Sequence, residues 1–338
     1  MLGGVKSQMI FKLIFSNLKK KKKLNIIKYN KRIQKLLCVN SHDFEEFEKL
    51  KEINIKFNLD IKDTDIKALN IINKKLNDEA IINLCKINFI RLKDINISFN
   101  KISSIKIFTK KIFNKLETLN LGNNKITDIN ILEKFGITEL KDLCLSYNKI
   151  SDITVLEKVN FKKLKILNLT GNEILNINAL ENAKFPNLEI LILSENKIAD
   201  INVLEKVNFN DLKELNLYDN NISDISVLNK VKFNKLEILN LSYNKIADIN
   251  TLENVDFKYL KILDISRNKI FNISVLEKVN FKHLKELYLF DNEISDINVL
   301  VKVNFDELET LNIFENKFNE EENSTIITEL KSKIKNCL

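Results

Sequence analysis

The chain is poor in residues that interrupt structure. Its 338 residues include five glycines and one proline, Pro186. Joints between separate globular domains are rich in such residues, so one continuous unit is expected. Tryptophan is absent, and histidine occurs only as His42 and His283, which share no motif. A metal centre or a Ser–His–Asp triad is therefore not expected, and both histidines are read as surface residues. The four cysteines, Cys38, Cys85, Cys144 and Cys337, lack paired or zinc-like spacing. Free thiols in a reducing compartment are the simpler reading, so an intracellular, cytoplasmic protein is expected. Residues 11–15 are too short for a membrane span and include Lys12. The broken apolar run, the lysines after it and the lack of a small-residue cleavage site also make a poor leader peptide. No glycine-rich phosphate loop or nucleophile setting is visible, which points to a non-enzymatic protein needing no cofactor.

What the chain has instead is a period. From Leu92 the phrase LxxLxLxxNxI returns every 24 residues. Its ninth position is asparagine ten times: Asn100, Asn124, Asn148, Asn172, Asn196, Asn220, Asn244, Asn268, Asn292 and Asn316. A fixed period of this length predicts stacked supersecondary units. In the unit that begins at Leu236, the alternation of Leu239 and Leu241 predicts a short strand with one face inward. Asn244 follows at the bend, where an amide can satisfy backbone groups that the turn leaves unpaired. Ile246, Ile249, Leu252, Val255 and Phe257 are spaced by three, three, three and two, which suits a tight 3₁₀ return. The predicted class is an α/β solenoid with a parallel sheet on one side, short helical or 3₁₀ segments on the other, and caps at both ends.

This phrase resembles the leucine-rich repeat family, from about residue 50 to residue 319. The NKIxDIxxL section at residues 148–156, 196–204 and 244–252 is similar to the subclass of internalins and of the repeat-type regulatory subunit of protein phosphatase 1. The resemblance implies a curved right-handed horseshoe that binds a protein on its concave sheet. A phosphatase-regulatory scaffold is one role it suggests. The unit of 24 residues departs from the 22 usual in that subclass, and the addition falls in the return segment.

Three parts are expected: a basic short-helical segment over residues 1–49, the solenoid over 50–319, and a capping helix within 320–338. Leu50, Ile53, Ile55 and Asn58 match one degenerate strand phrase, and Ile66, Leu69 and Ile71 another. The first 38 residues hold eleven Lys/Arg and no Asp/Glu. Taking these eleven from the chain's +8 leaves −3 on residues 39–338. Ile10, Leu13, Ile14 and Leu18, then Leu24, Ile27 and Tyr29, then Ile33, Leu36 and Leu37 suggest three short amphipathic pieces. That layout resembles F-box proteins, which implies a ubiquitin-ligase adaptor as a second partner. The usual Leu-Pro opening is missing, and Lys19 to Lys23 stand where an acidic turn is usual. The same pieces equally suit a cap. Aromatic residues are not interleaved with the lysines, so nucleic acid is not an expected partner.

The third, fifth and seventh positions of each unit are expected to face outward, with the eighth at the rim. Ile166, Ile190, Ile238 and Ile262 occupy third positions and Ile192 a fifth. An aliphatic stripe there has no folding reason, whereas contact surfaces use such patches. Toward the C-terminal half come Tyr218, Tyr243, Tyr288, Phe290 and Phe314, with Asp264, Glu286, Asp291 and Arg267 among them. Tyrosine and arginine make good anchors because they join large area to a polar tip. The expected ligand of this face is a partner protein of apolar and basic character, bound by a monomer. Drift within an isoleucine-rich code is the alternative source of the stripe.

Overall fold

The computed structural model describes residues 41–337 except 90 and 304. Among them are twelve strands, three α-helices and ten 3₁₀ turns. The strands form one parallel sheet in strict sequence order, from β1 (Ala68–Asn70) to β12 (Asn336–Cys337). Strict order is what a 24-residue period dictates, since each unit can hydrogen-bond only to its neighbours. The register steps by one period: Ile166↔Ile190, Glu214↔Ile238 and Ile262↔Glu286 stand opposite each other. The result is a curved solenoid with strands on one side and 3₁₀ returns on the other.

Each strand is only three residues long, with a buried leucine between two half-buried flanks in all ten full repeats but the first, where the buried residue is Ile95. The returns are 3₁₀ turns such as Asn202–Glu205 and Ser226–Asn229, as the spacing of three predicts. They start where Asp128, Asp152, Asp200, Asp224, Asp248 and Asp296 accept the backbone N–H two residues on. These aspartates therefore cap the turns. The lysines three residues before them bond elsewhere: Lys197 and Lys317 to Glu173 and Glu293 of the preceding unit, and Lys245 to Asn221.

The core runs the length of the stack as one continuous cluster. A phenylalanine at position twenty-two lies inside each middle unit. Phe161, Phe185 and Phe209 stack with ring centroids 6.4 and 6.5 Å apart. The sixteenth position is buried as well, through Val155, Val203, Val227, Val275 and Val299, although it falls outside the inward set read from the period.

The asparagine ladder does more than satisfy a bend. Asn196 Nδ2 donates to Leu193 O and Ser194 O of its own unit, and to Leu169 O of the unit before, each at 3.0 Å. Its Oδ1 accepts from Ile174 N at 3.1 Å. One amide thus fastens two units, and the pattern repeats from Asn124 to Asn316.

At the N-terminal end, residues 50–58 are not a strand. They fall within or just after helix α1 (Ser41–Phe57), where Leu50 and Ile53 are buried. Leu50, Ile53 and Phe57 share a helical face as readily as a strand phrase, and no earlier coil is present there to pair with. β1 does match the phrase around Leu69. The second helix, α2 (Asp78–Leu84), is capped by Asn77, whose side chain accepts from Ala80 N. At the other end α3 (Ser324–Lys333) packs Leu330 into the core, and the chain returns as β12 beside β11 (Thr310–Asn312). The candidate amphipathic pieces and the F-box-like layout of residues 1–38 lie outside the described residues, as does Cys38. Cys85, Cys144 and Cys337 are free thiols. No helix among the described residues is long and apolar enough to cross a membrane, and none of their His, Cys, Asp and Glu side chains cluster to hold a metal.

Candidate binding face

The sheet sets the candidate residues in rows. Ile166, Ile190, Glu214, Ile238, Ile262 and Glu286 form one line across β5 (Ile166–Asn168), β6 (Ile190–Ile192), β7 (Glu214–Asn216), β8 (Ile238–Asn240), β9 (Ile262–Asp264) and β10 (Glu286–Tyr288). Parallel strands lie about 4.8 Å apart, so neighbouring side chains shade one another. The isoleucines are therefore half-buried rather than fully exposed. Glu214 stands between Ile190 and Ile238, and partial burial pushes its carboxyl above the ordinary 4.5. Ile192, Asp264 and Tyr288 belong to the next row, in fifth positions. Tyr288 donates to Glu286 Oε2 at 2.7 Å, and with burial this pushes the phenol up to about 12.

The seventh position departs from the expected outward pattern. Ser98, Ser146, Thr170, Ser194, Ser242 and Ser266 are buried there. Small side chains tuck into the bend and bond locally, as Thr170 Oγ1 does with Ser194 Oγ at 2.9 Å. Only Tyr218, Phe290 and Phe314, too large to tuck in, reach outward from it.

The eighth position is the structural surprise. In all ten units it takes the left-handed conformation, with φ between 50° and 63°. Glycine and asparagine adopt that region readily, yet they occur only at Gly171 and Asn123. Phe99, Tyr147, Glu195, Tyr243, Arg267 and Glu315 adopt it with bulky side chains, at roughly 1 kcal/mol or more apiece. The bend aims these side chains along the rim of the sheet, where they form a ridge.

Along this ridge the rings and charges are mutually engaged. Tyr218 and Tyr243 lie 5.8 Å apart and tilted. The Arg267 guanidinium sits 5.5 Å from the Tyr243 ring and 5.6 Å from the Phe290 ring, and 3.6 Å from Asp291 Oδ2. Tyr147 arches over Gly171 and donates to Glu195 Oε1 at 2.6 Å. The sequence reading missed Tyr147 and Glu195. Their signal was available in the eighth position, which had been set aside as rim. Phe314 stands apart from this group: with Phe318, Ile327 and Cys337 it lines an open cleft of about 500 Å³ beside α3.

Gly171 is required here. A Cβ would lie 2.4 Å from the Tyr147 ring, at a φ of +63°. Gly171→Ala is expected to lower stability by about 1–2 kcal/mol and break the Tyr147–Glu195 bond. Thermal unfolding and the ring-proton shifts of Tyr147 would show both.

Charge separates across the molecule. At positions three, five, seven and eight of the ten units there are nine acids and one base, Arg267, while the whole chain is +8. The second position carries its own ladder on the opposite rim. Glu117 receives Lys93 and Lys141, and Glu189 receives Lys165 and Lys213 at 2.5 and 2.7 Å. These lysines pull both carboxyls down to about 2.

Comparison with known proteins agrees with this architecture. The family model described as Leucine Rich repeats (2 copies) matches residues 90–134 and 186–230, and one described as Leucine Rich repeat matches 234–249 and 282–297. Among solved structures the chain is similar to an internalin (inlF) from Listeria monocytogenes, at 25% identity over 86% of this chain and 94% of that one, with a TM-score of 0.52. It is also similar to internalin C2 of the same organism, at 28% identity over 62% and 83%, TM-score 0.51. A leucine-rich repeat protein of Leptospira interrogans shares the fold at 22% identity over 79% and 83%, TM-score 0.55. No curated protein sequence matches. The chain is a leucine-rich repeat protein, and such solenoids generally serve as protein–protein interaction modules.

Proposed function

We propose that the chain is a non-enzymatic binding module that holds a partner protein on its concave sheet, between about Ile166 and Phe314. The observation that carries this reading is the ridge. Six bulky side chains occupy a left-handed position that glycine or asparagine would fill with less strain. The stack gains nothing from their size, so their identity is explained by what they touch. The half-buried isoleucines supply apolar area beside it, and the surplus of acids selects a basic partner. The internalin-type subclass and an intracellular setting belong to this proposal. The NKIxDIxxL phrase supports the first and the three free thiols the second. An F-box-like or phosphatase-regulatory role rests on layout and resemblance, and no contact in the structure favours either.

Replacing Tyr243 and Tyr288 together with alanine is expected to weaken capture of the partner about tenfold or more, with little change in melting temperature. Tyr243 is 43% exposed, so its loss leaves the core intact. Capture at full strength by the double variant would refute the assignment.

Acidity separates binding from folding. Glu214 and Asp219 have raised carboxyl pKa values because burial disfavours their charge, and Glu195 adds to this at Asp219. They take up protons first as pH falls toward 4.5, which relieves strain in the folded state rather than adding to it. Glu117 and Glu189 are depressed, so the stability they contribute is present above the ordinary value and is lost only as pH falls through about 2. Binding of a basic partner should therefore fade between pH 7 and 4.5 while circular dichroism stays unchanged. Loss of the fold in step with binding would contradict this.

A further inference from the structure

We propose that the step of the ridge formed by Tyr218, Asp219 and Tyr243 is a slot for an arginine side chain of the bound partner. The inference rests on the concave-face reading and gives it an anchor. The protein itself shows how such a slot works. Arg267 lies between the rings of Tyr243 and Phe290, at 5.5 and 5.6 Å, and against Asp291. In terms of the repeat, the cation at an eighth position is held by an aromatic–acid pair, Phe290–Asp291, at the seventh and eighth positions of the next unit.

Three units earlier the same pair recurs as Tyr218–Asp219. The eighth position before that pair, however, holds Glu195 in place of an arginine. This step thus has the ring and the acid, with a carboxylate standing where the internal cation would be. Tyr243 brings a second ring, 5.8 Å from Tyr218. Glu195 is fixed by the Tyr147 hydroxyl. Asp219 is half-buried, with no ion pair among the described residues, and its raised pKa follows from burial and the charge of Glu195. A guanidinium supplied from outside would stack on the rings and fork to the carboxylates, which a compact ammonium does less well. The nine-to-one excess of acids over bases on this face draws such a ligand in.

The test uses the full chain and a five-residue amide of alternating isoleucine and arginine, with lysine and citrulline versions, titrated calorimetrically. The arginine peptide should bind about tenfold tighter than the citrulline peptide and a few-fold tighter than the lysine one. Asp219→Asn should weaken the arginine peptide about fivefold and leave the citrulline peptide unchanged, a coupling that a merely structural residue would not give. Unfolding curves of each variant verify the fold. If Asp219→Asn has no effect while Ile238→Asp abolishes binding, the slot is overturned and the concave-face reading stands. If neither variant matters, both fall. Tighter peptide binding after Arg32→Gln would show that the chain fills the slot from its own basic segment, which also overturns the assignment to a partner.

Discussion

Asn196→Ala is expected to lower the stability of the chain by roughly 3–5 kcal/mol, a large part of the 5–15 kcal/mol typical of a folded domain. The cost follows from the bonds of one amide. Leu169 O keeps a second donor, Asn172 Nδ2 at 2.9 Å, and Leu193 O keeps Asn220 Nδ2 at 3.0 Å. Ser194 O keeps Gly171 N at 2.9 Å. Ile174 N has no such reserve, because its partner is Asn196 Oδ1. The variant therefore loses three shared donors and leaves one N–H orphaned at a buried junction. Asn196→Asp keeps the acceptor but turns a carboxylate toward two carbonyl oxygens, so it should be no better. In denaturant titrations, a loss below about 1 kcal/mol would mean that the ladder is not what fastens the units.

Phe185→Ala should cost a similar amount, about 3–5 kcal/mol, through a different mechanism. Phe185 is 1% exposed and stacks between Phe161 and Phe209 at interplanar angles of 12° and 16°. Its removal opens a cavity between two units, and a stack joined only to neighbours has no distant element to close it. Phe185→Leu keeps most of the volume and should cost much less. Urea unfolding of the two variants separates cavity from contact. Equal losses would show that ring stacking, rather than filled volume, holds the spine together.

Most of the architecture was legible because one rule repeats. The leucines at positions one, four and six, the ninth-position asparagine and the spacing of three in the return each specify a local geometry. Ten copies leave no competing arrangement. Legibility failed where the rule is incomplete. Residues 50–58 carry apolar spacing that suits a helix as well as a strand, and only the absence of an earlier coil decides between them. The buried valines of position sixteen escaped because a 3₁₀ return turns a second side chain inward beside Leu156 or Leu204.

The binding face was half legible. Its rows followed from the alternation of a strand, and Ile166, Ile190, Ile238 and Ile262 do stand in one line. What periodicity could not show is backbone conformation. The left-handed bend at position eight turns a nominal rim into a ridge, and so brings Tyr147 and Glu195 into the candidate site. The burial of Ser146, Ser242 and Ser266 was hidden for the same reason, since it depends on how tightly the chain turns after the strand. The charge contrast was visible once positions were counted by face: the acids cluster on the sheet and ridge, while the surplus of lysine lies elsewhere.

Carboxyl footprinting of the full chain, with and without its captured partner, tests the central claim most directly. Carbodiimide-driven amidation labels exposed acids, and mass spectrometry reads each site. The concave-face account predicts protection of Glu214, Asp219, Asp264 and Glu286 in the complex, with Glu157, Asp256 and Glu277 on the return side labelled as before. Protection confined to the return side, with the four concave acids still fully reactive, would contradict it.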